Sequence, residues 1–92
     1  MRFLAGALLA VTLSWMDNSN NEDGFIAYRS VPGGSFVELG RVGSGVVTFS
    51  DASAVGGACY KVSAYNLAGE SGPSNTVCLP LPPAAPTALL VR

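Results

Sequence analysis

Apolar residues recur at every second position in short runs along this chain, and turn-forming residues separate the runs. In Val11-Thr12-Leu13-Ser14-Trp15 the apolar side chains alternate with hydroxyls. Strict alternation predicts a half-buried strand with Trp15 on its core face. Asp17-Asn18-Ser19-Asn20-Asn21-Glu22-Asp23-Gly24 is a polar loop of turn formers. Phe25-Ile26-Ala27-Tyr28-Arg29 is apolar on both faces, which suits a strand near the centre of a sheet or one partly covered on its outside. Val31-Pro32-Gly33-Gly34-Ser35 turns the chain, and Phe36 to Val42 is the next strand. Gly43-Ser44-Gly45 turns it again before a short strand, Val46-Val47-Thr48-Phe49. Asp51 to Gly57 is a connection of small residues. Tyr60, Val62 and Ala64 then alternate with Cys59, Lys61 and Ser63, and a last strand is expected from about Ser74 to Leu79. Outside the N-terminal run no segment has apolar residues at helical spacing with caps. Short strands at fairly even spacing predict an all-β sandwich or barrel.

Two segments stand apart. Met1 to Ala10 has one positive charge followed by an apolar run, like a short signal peptide. The run flows into Val11-Thr12-Leu13 without a polar break, so a first edge strand is the preferred alternative. It is too short to cross a membrane, which takes about 20 apolar residues. At the other end, Leu79-Pro80-Leu81-Pro82-Pro83-Ala84-Ala85-Pro86 cannot continue a paired strand, because proline lacks the donor. It reads as a semi-rigid extended linker. The expected organisation is thus one domain over 1–79 and a Pro-rich linker over 80–92. Thr87 to Arg92 looks like the opening of another strand, or else a frayed tail.

Composition narrows the function more than the fold. At 92 residues the chain makes one domain at most, of the usual size for an immunoglobulin-like sandwich. Its core is small, so one covalent staple would count. The net charge is −1 with no basic patch, which argues against nucleic acid as a partner. There is no His, the commonest general base and neutral-pH metal ligand.

The strand signals together resemble a fibronectin type III domain of the kind found in multidomain secreted bacterial proteins. The matching pieces are Val11 to Trp15, Asn21-Glu22-Asp23-Gly24-Phe25, Thr48-Phe49-Ser50-Asp51 and, most specific, Tyr60-Lys61-Val62-Ser63-Ala64-Tyr65-Asn66-Leu67-Ala68-Gly69-Glu70-Ser71. The resemblance covers about Val11 to Leu79. It implies a seven-stranded immunoglobulin-like antiparallel sandwich, with the first, second and fifth strands in one sheet and the other four in the second. Trp15, Phe25, Leu39, Phe49, Tyr60 and Val62 would meet in the core. Pro86-Thr87 and the apolar run after it resemble the start of a next repeat. Two details depart from the family pattern. The tyrosine that ties down the crossover would fall two residues before Tyr60, where Ala58 stands. The first strand would be Met1 to Ala10, without the usual prolines.

The two cysteines could be a disulfide, implying an oxidising compartment, or two buried thiols. A hairpin centred near Ala68 and Gly69 sets Cys59 opposite Cys78 and Tyr60 opposite Val77. Both cysteines then share the face opposite Tyr60 and Val62. Cross-strand neighbours lie within the Cα range of disulfides. A bulge near Pro73 would move this register by one residue.

Asp17, Ser19, Asn21 and Asp23 recur at every second position, as oxygen ligands do in a calcium loop. The sixth position is Glu22 rather than Gly and the twelfth is Tyr28 rather than Glu, so a solvated turn is the preferred reading. Gly33-Gly34 and Gly56-Gly57 lack the Lys and helix of a phosphate loop. No Ser has a His partner and no carboxylate pair stands out. The expectation is therefore no enzyme, no catalytic residue, no metal and no cofactor. Tyr28, Tyr65 and Ile26 are candidates for exposure, and exposed aromatics on a sheet can stack on sugars or grip a partner. The expected function is a structural spacer of an extracellular or cell-surface protein, touching neighbouring domains of the same polypeptide. The alternative is a polysaccharide- or protein-binding module that uses Tyr28 and Tyr65.

Overall fold

A computed structural model of the protein describes residues 9–91. Residues 1–8, which make up most of the Met1–Ala10 segment, lie outside the described residues, as does Arg92. The chain forms β1 (Leu9–Ser14), β2 (Gly24–Ser30), β3 (Val37–Gly43), β4 (Thr48–Ala54), β5 (Cys59–Asn66), β6 (Gly69–Glu70) and β7 (Val77–Cys78). No helix occurs among the described residues. The strands build two antiparallel sheets, β1-β4 and β3-β2-β5-β6, with β7 also paired to β5. The fold is an all-β sandwich.

Alternation decides which side chains face inward. In β1, Val11, Leu13 and Trp15 are half-buried while Thr12 and Ser14 are exposed. Leu13 pairs with Phe49 of β4. Across the gap, β2 runs between β3 and β5, so both of its edges are paired and its first residues are buried. Phe25, Ala27 and Val62 form one buried cluster, with Leu13, Trp15, Val42 and Phe49 packed on it. Trp15 and Phe25 meet at 5.5 Å between ring centroids, tilted by 59°. Ala54, Ala58 and Tyr60 form a second cluster, covered by Val11, Leu39 and Leu79. Leu39 reaches it because β3 bulges there: Ala27 pairs with Gly40 and Tyr28 with Glu38, leaving Leu39 unpaired. Gly40 must lack a side chain, since a Cβ there would stand 2.7 Å from the Phe49 ring.

Three boundaries differ from the sequence expectation. The strand expected at Val46–Phe49 starts at Thr48 and continues to Ala54, so Asp51 lies in a strand and not in a connection. β1 pairs the extension, Val11 with Asp51 and Leu9 with Ala54. The last strand, expected over Ser74–Leu79, is reduced to Val77–Cys78 (β7), and a separate short piece, β6, pairs β5 earlier, at Gly69–Glu70, within the stretch expected to be the hairpin loop. Ser71 and Ser74 bridge the interruption at Gly72-Pro73. Each donates its N–H to β5, to Ala64 and Val62, and each hydroxyl accepts the N–H of that same residue.

The third difference is the hairpin centre. Asn66 pairs with Gly69 around the turn Leu67-Ala68, so the hairpin centre lies one residue before the expected one and the pairing register is offset by two residues. The Asn66 side chain accepts the Ala68 N–H at 2.8 Å, which fixes this turn. Extra residues around Gly72-Pro73 then restore the pairing of Cys59 with Cys78 and Tyr60 with Val77. Cys59 and Cys78 form a disulfide with Cα atoms 3.9 Å apart. Leu79 N–H donates to Ala58 C=O, which makes the cysteines a non-hydrogen-bonded pair, where cross-strand side chains are closest.

Candidate functional site

Residues that face each other across neighbouring strands share a face. Tyr28 faces Glu38 and Lys61, Ile26 faces Arg41 and Ser63, and Gly24 faces Tyr65. The outer face of the larger sheet therefore holds both candidate tyrosines. They are not adjacent: Ile26 lies between them, and four residues of strand separate their positions by about 13 Å. Both rings are half-buried, and Ile26, a candidate for exposure, is only 2% exposed. Its neighbours on the face cover it, so this side of the sheet carries a small apolar centre under a polar rim.

That rim is closed on itself. Glu70 comes from β6, opposite Tyr65, and accepts the Tyr28 hydroxyl at 2.5 Å and the Ser63 hydroxyl. Those two donors hold the Glu70 carboxyl below the ordinary range, Ser63 first and then Tyr28. The same bond raises the Tyr28 hydroxyl above its usual value. Lys61 places its ammonium 4.4 Å from the centre of the Phe36 ring and 5.8 Å from that of Tyr28. The Arg41 guanidinium stands 5.0 Å over Tyr65 and is also held by Glu38 at 2.8 Å. The Tyr65 ring lies against Gly24, where a Cβ would come within 3.0 Å of it. Each candidate ring thus already carries a cation from its own chain. Phe36, Lys61, Arg41 and Glu70 were not legible as members of this face. Strand parity could have found Lys61 and Arg41, but Glu70 depends on the position of the turn.

The inner faces hold a second polar cluster. Asp51 on β4 is 4% exposed, and Arg29 on β2 and Tyr60 on β5 point at it from the opposite sheet. Its carboxylate accepts Arg29 Nη1 at 2.9 Å, Tyr60 Oη at 2.6 Å, and the N–H and hydroxyl of Ser53 at 3.0 and 3.1 Å. Burial pushes the Asp51 carboxyl up. The hydrogen bonds from Tyr60, Ser53 and Arg29 outweigh it and leave the carboxyl below its ordinary value. Burial and the Asp51 carboxylate push the Tyr60 hydroxyl up to about 12. Both carboxylate oxygens face donors, from β2, β5 and the Ser53 of β4 itself, so the cluster joins the sheets. Ala58 lacks the hydroxyl that would tie the crossover, and Tyr60 makes a tie to β4 instead.

The loop weighed for calcium spends its oxygens locally. Asp17 accepts the Ser19 N–H at 3.0 Å, and Ser19 donates its hydroxyl to Glu22 at 2.7 Å. Glu22 also accepts the Gly45 N–H at 3.1 Å, tying the loop to the β3–β4 turn. Led by the Ser19 bond, these donors lower the Glu22 carboxyl to about 2. Among the described residues no group of three or more His, Cys, Asp or Glu could hold a metal ion.

No family model matches this chain, and no curated protein matches it.

Proposed function

We propose that this chain is a non-catalytic structural module, a disulfide-stapled sandwich of the fibronectin type III kind. It would space or steady its neighbours in an extracellular or cell-surface multidomain bacterial protein, such as a polysaccharide-degrading enzyme or an adhesin. The observation that carries the proposal is the strand pairing. β1 joins β4, and β3-β2-β5 with the returning strand makes the facing sheet. This division between the sheets is the one the resemblance implies for the second to seventh strands, with the Tyr60–Ser71 motif on β5 and its return.

Two further features support it. The Cys59–Cys78 bridge suits an oxidising compartment. The chain leaves the sandwich in a stiff, docked form: Gly57 N–H donates to Pro80 C=O at 3.1 Å, and Leu81 and Pro82 lie on Gly57 and Gly56. A spacer needs such an exit, since it transmits orientation to a neighbouring domain.

Binding of a carbohydrate or a protein through Tyr28 and Tyr65 is the second reading, and it draws on their half-exposed rings. The cations already stacked on both rings count against it. Affinity electrophoresis of the whole chain through gels containing soluble polysaccharides separates the two. A spacer migrates unretarded in all of them. Retardation that Tyr65→Ala or Tyr28→Ala abolishes would establish the binding module instead.

A further inference from the structure

We infer that the Cys59–Cys78 bridge is a thiol-sensitive latch on the exit of the chain. Oxidised, it holds Leu79–Pro82 docked at the end of the sandwich; reduced, it frees that segment while the sandwich stays folded. The bridge lies where the exit begins. Cys59 follows Ala58 and Cys78 precedes Leu79, and the Leu79 N–H donates to the Ala58 C=O at 2.8 Å. One residue further along each stretch, the Gly57 N–H donates to the Pro80 C=O at 3.1 Å. Leu81 and Pro82 then lie on Gly57 and Gly56. The disulfide joins the two stretches at the point from which this docking proceeds, and it keeps the partners of both backbone bonds at high effective concentration.

The segment is otherwise lightly held. β7 is two residues long, and Val77 and Cys78 are both exposed. Ser74 is tied to Val62 by two hydrogen bonds, but from Asn75 to Cys78 every residue is exposed. Beyond Ser74, Leu79 is the side chain that packs on a buried cluster. The buried residues of both clusters lie between Phe25 and Val62, so the core itself is built without the segment.

Cys78 is exposed and Cys59 half-buried, so an incoming thiolate meets the Cys78 sulfur first. A dithiol reductant opens the bridge by exchange. One thiolate attacks Cys78 Sγ, the bond between Cys59 and Cys78 breaks, and Cys59 leaves as a thiolate that takes a proton from water. The second thiolate of the reductant then attacks the reductant's own sulfur in the mixed disulfide and frees Cys78, which is protonated in turn. The reductant ends as a disulfide, and two electrons have passed to the cysteine pair. Cys59 Sγ lies 3.7 Å from the Gly57 C=O, an acceptor within reach of the new thiol. The consequence rests on the spacer reading: a docked exit transmits orientation to a neighbouring domain, and a released one does not.

The test follows amide hydrogen exchange in the full chain before and after dithiothreitol, without denaturant, while free thiols are counted. On reduction, exchange at Gly57 and Leu79 should quicken by about tenfold or more, while the β2 amides of Phe25 to Tyr28 keep their protection. Reoxidation should restore the parent pattern, and Cys59→Ser with Cys78→Ser should show the released pattern with no reductant. Four results overturn the inference. The bridge could resist dithiothreitol in the folded chain. Gly57 and Leu79 could stay protected after both thiols appear. The double variant could keep parent-like protection at Gly57 and Leu79. Protection could also collapse in β2 together with the exit, which would make the bridge a staple of the whole fold and not a latch. Retardation in polysaccharide gels, which would sink the spacer reading, leaves this exchange pattern untouched, so the two fail separately.

Discussion

Replacing Asp51 by Ala should be among the most damaging single changes in this protein. The side chain is 4% exposed, and its carboxylate is the common acceptor for Arg29, Tyr60 and Ser53. Its loss strands the Tyr60 hydroxyl, on a side chain 2% exposed, and leaves the guanidinium of Arg29 without its anion. An unsatisfied buried hydroxyl costs about 1–3 kcal/mol. Removing one partner of a buried ion pair costs about 3–5 kcal/mol in all. Arg29 is 21% exposed and regains some water, which places the expectation near the lower end, about 3 kcal/mol. A domain of this size has about 5–14 kcal/mol to lose. Tyr60→Phe removes only the hydroxyl and should cost about 1–2 kcal/mol. Urea unfolding followed by Trp15 fluorescence measures both, and the Asp51→Ala midpoint should fall by at least about 1 M. A loss under about 0.5 kcal/mol, the range of ordinary surface changes, would refute the assignment of Asp51 as the inter-sheet tie.

Stability should be flat across neutral pH and fall at both ends. Asp51, Glu22, Glu38 and Glu70 sit below their ordinary values, so their contributions are present above about pH 4.5 and are lost as pH falls toward 2. Tyr60 is raised from 10.0 to about 12, so its contribution is present below pH 10 and is lost as pH rises through 12. Urea midpoints across that range check both limbs, and a midpoint that rises on acidification contradicts the assignment. Replacing both cysteines by Ser should cost about 3 kcal/mol, from a closed loop spanning a separation of 19 residues, read as the drop in unfolding free energy. Gly40→Ala should cost about 1–3 kcal/mol, because its Cβ meets the Phe49 ring at 2.7 Å, and relief by Phe49→Leu in the same background would locate the clash. Ser74→Ala should speed amide exchange at Val62, whose N–H loses its acceptor, with little change at Phe25.

Much of the fold was legible because period-two alternation is local information. Val11, Leu13 and Trp15 declare their face without reference to any partner, and the two-sided apolar run at Phe25–Tyr28 declares a strand paired on both edges. What was not legible depends on contacts distant in sequence. Asp51 looks like a turn residue until Arg29 and Tyr60 arrive from the other sheet to pair it. The outer-face rim needed Glu70 opposite Tyr65, and that needed the turn at Leu67-Ala68 rather than one residue later. The cysteine pairing came out the same from a displaced turn, because the extra residues at Gly72-Pro73 compensate the displacement. Two offsets of register cancelled, which alternation alone cannot reveal.

A sandwich that folds as a self-contained spacer, its aromatic face already occupied by its own cations, should ignore added sugars. An amide ¹H–¹⁵N spectrum of the whole chain, titrated with soluble polysaccharides, decides the matter in one experiment. Well-dispersed peaks that do not move on titration are the expected result. A collapsed spectrum, or saturable shifts gathered around Tyr28 and Tyr65, would contradict the spacer.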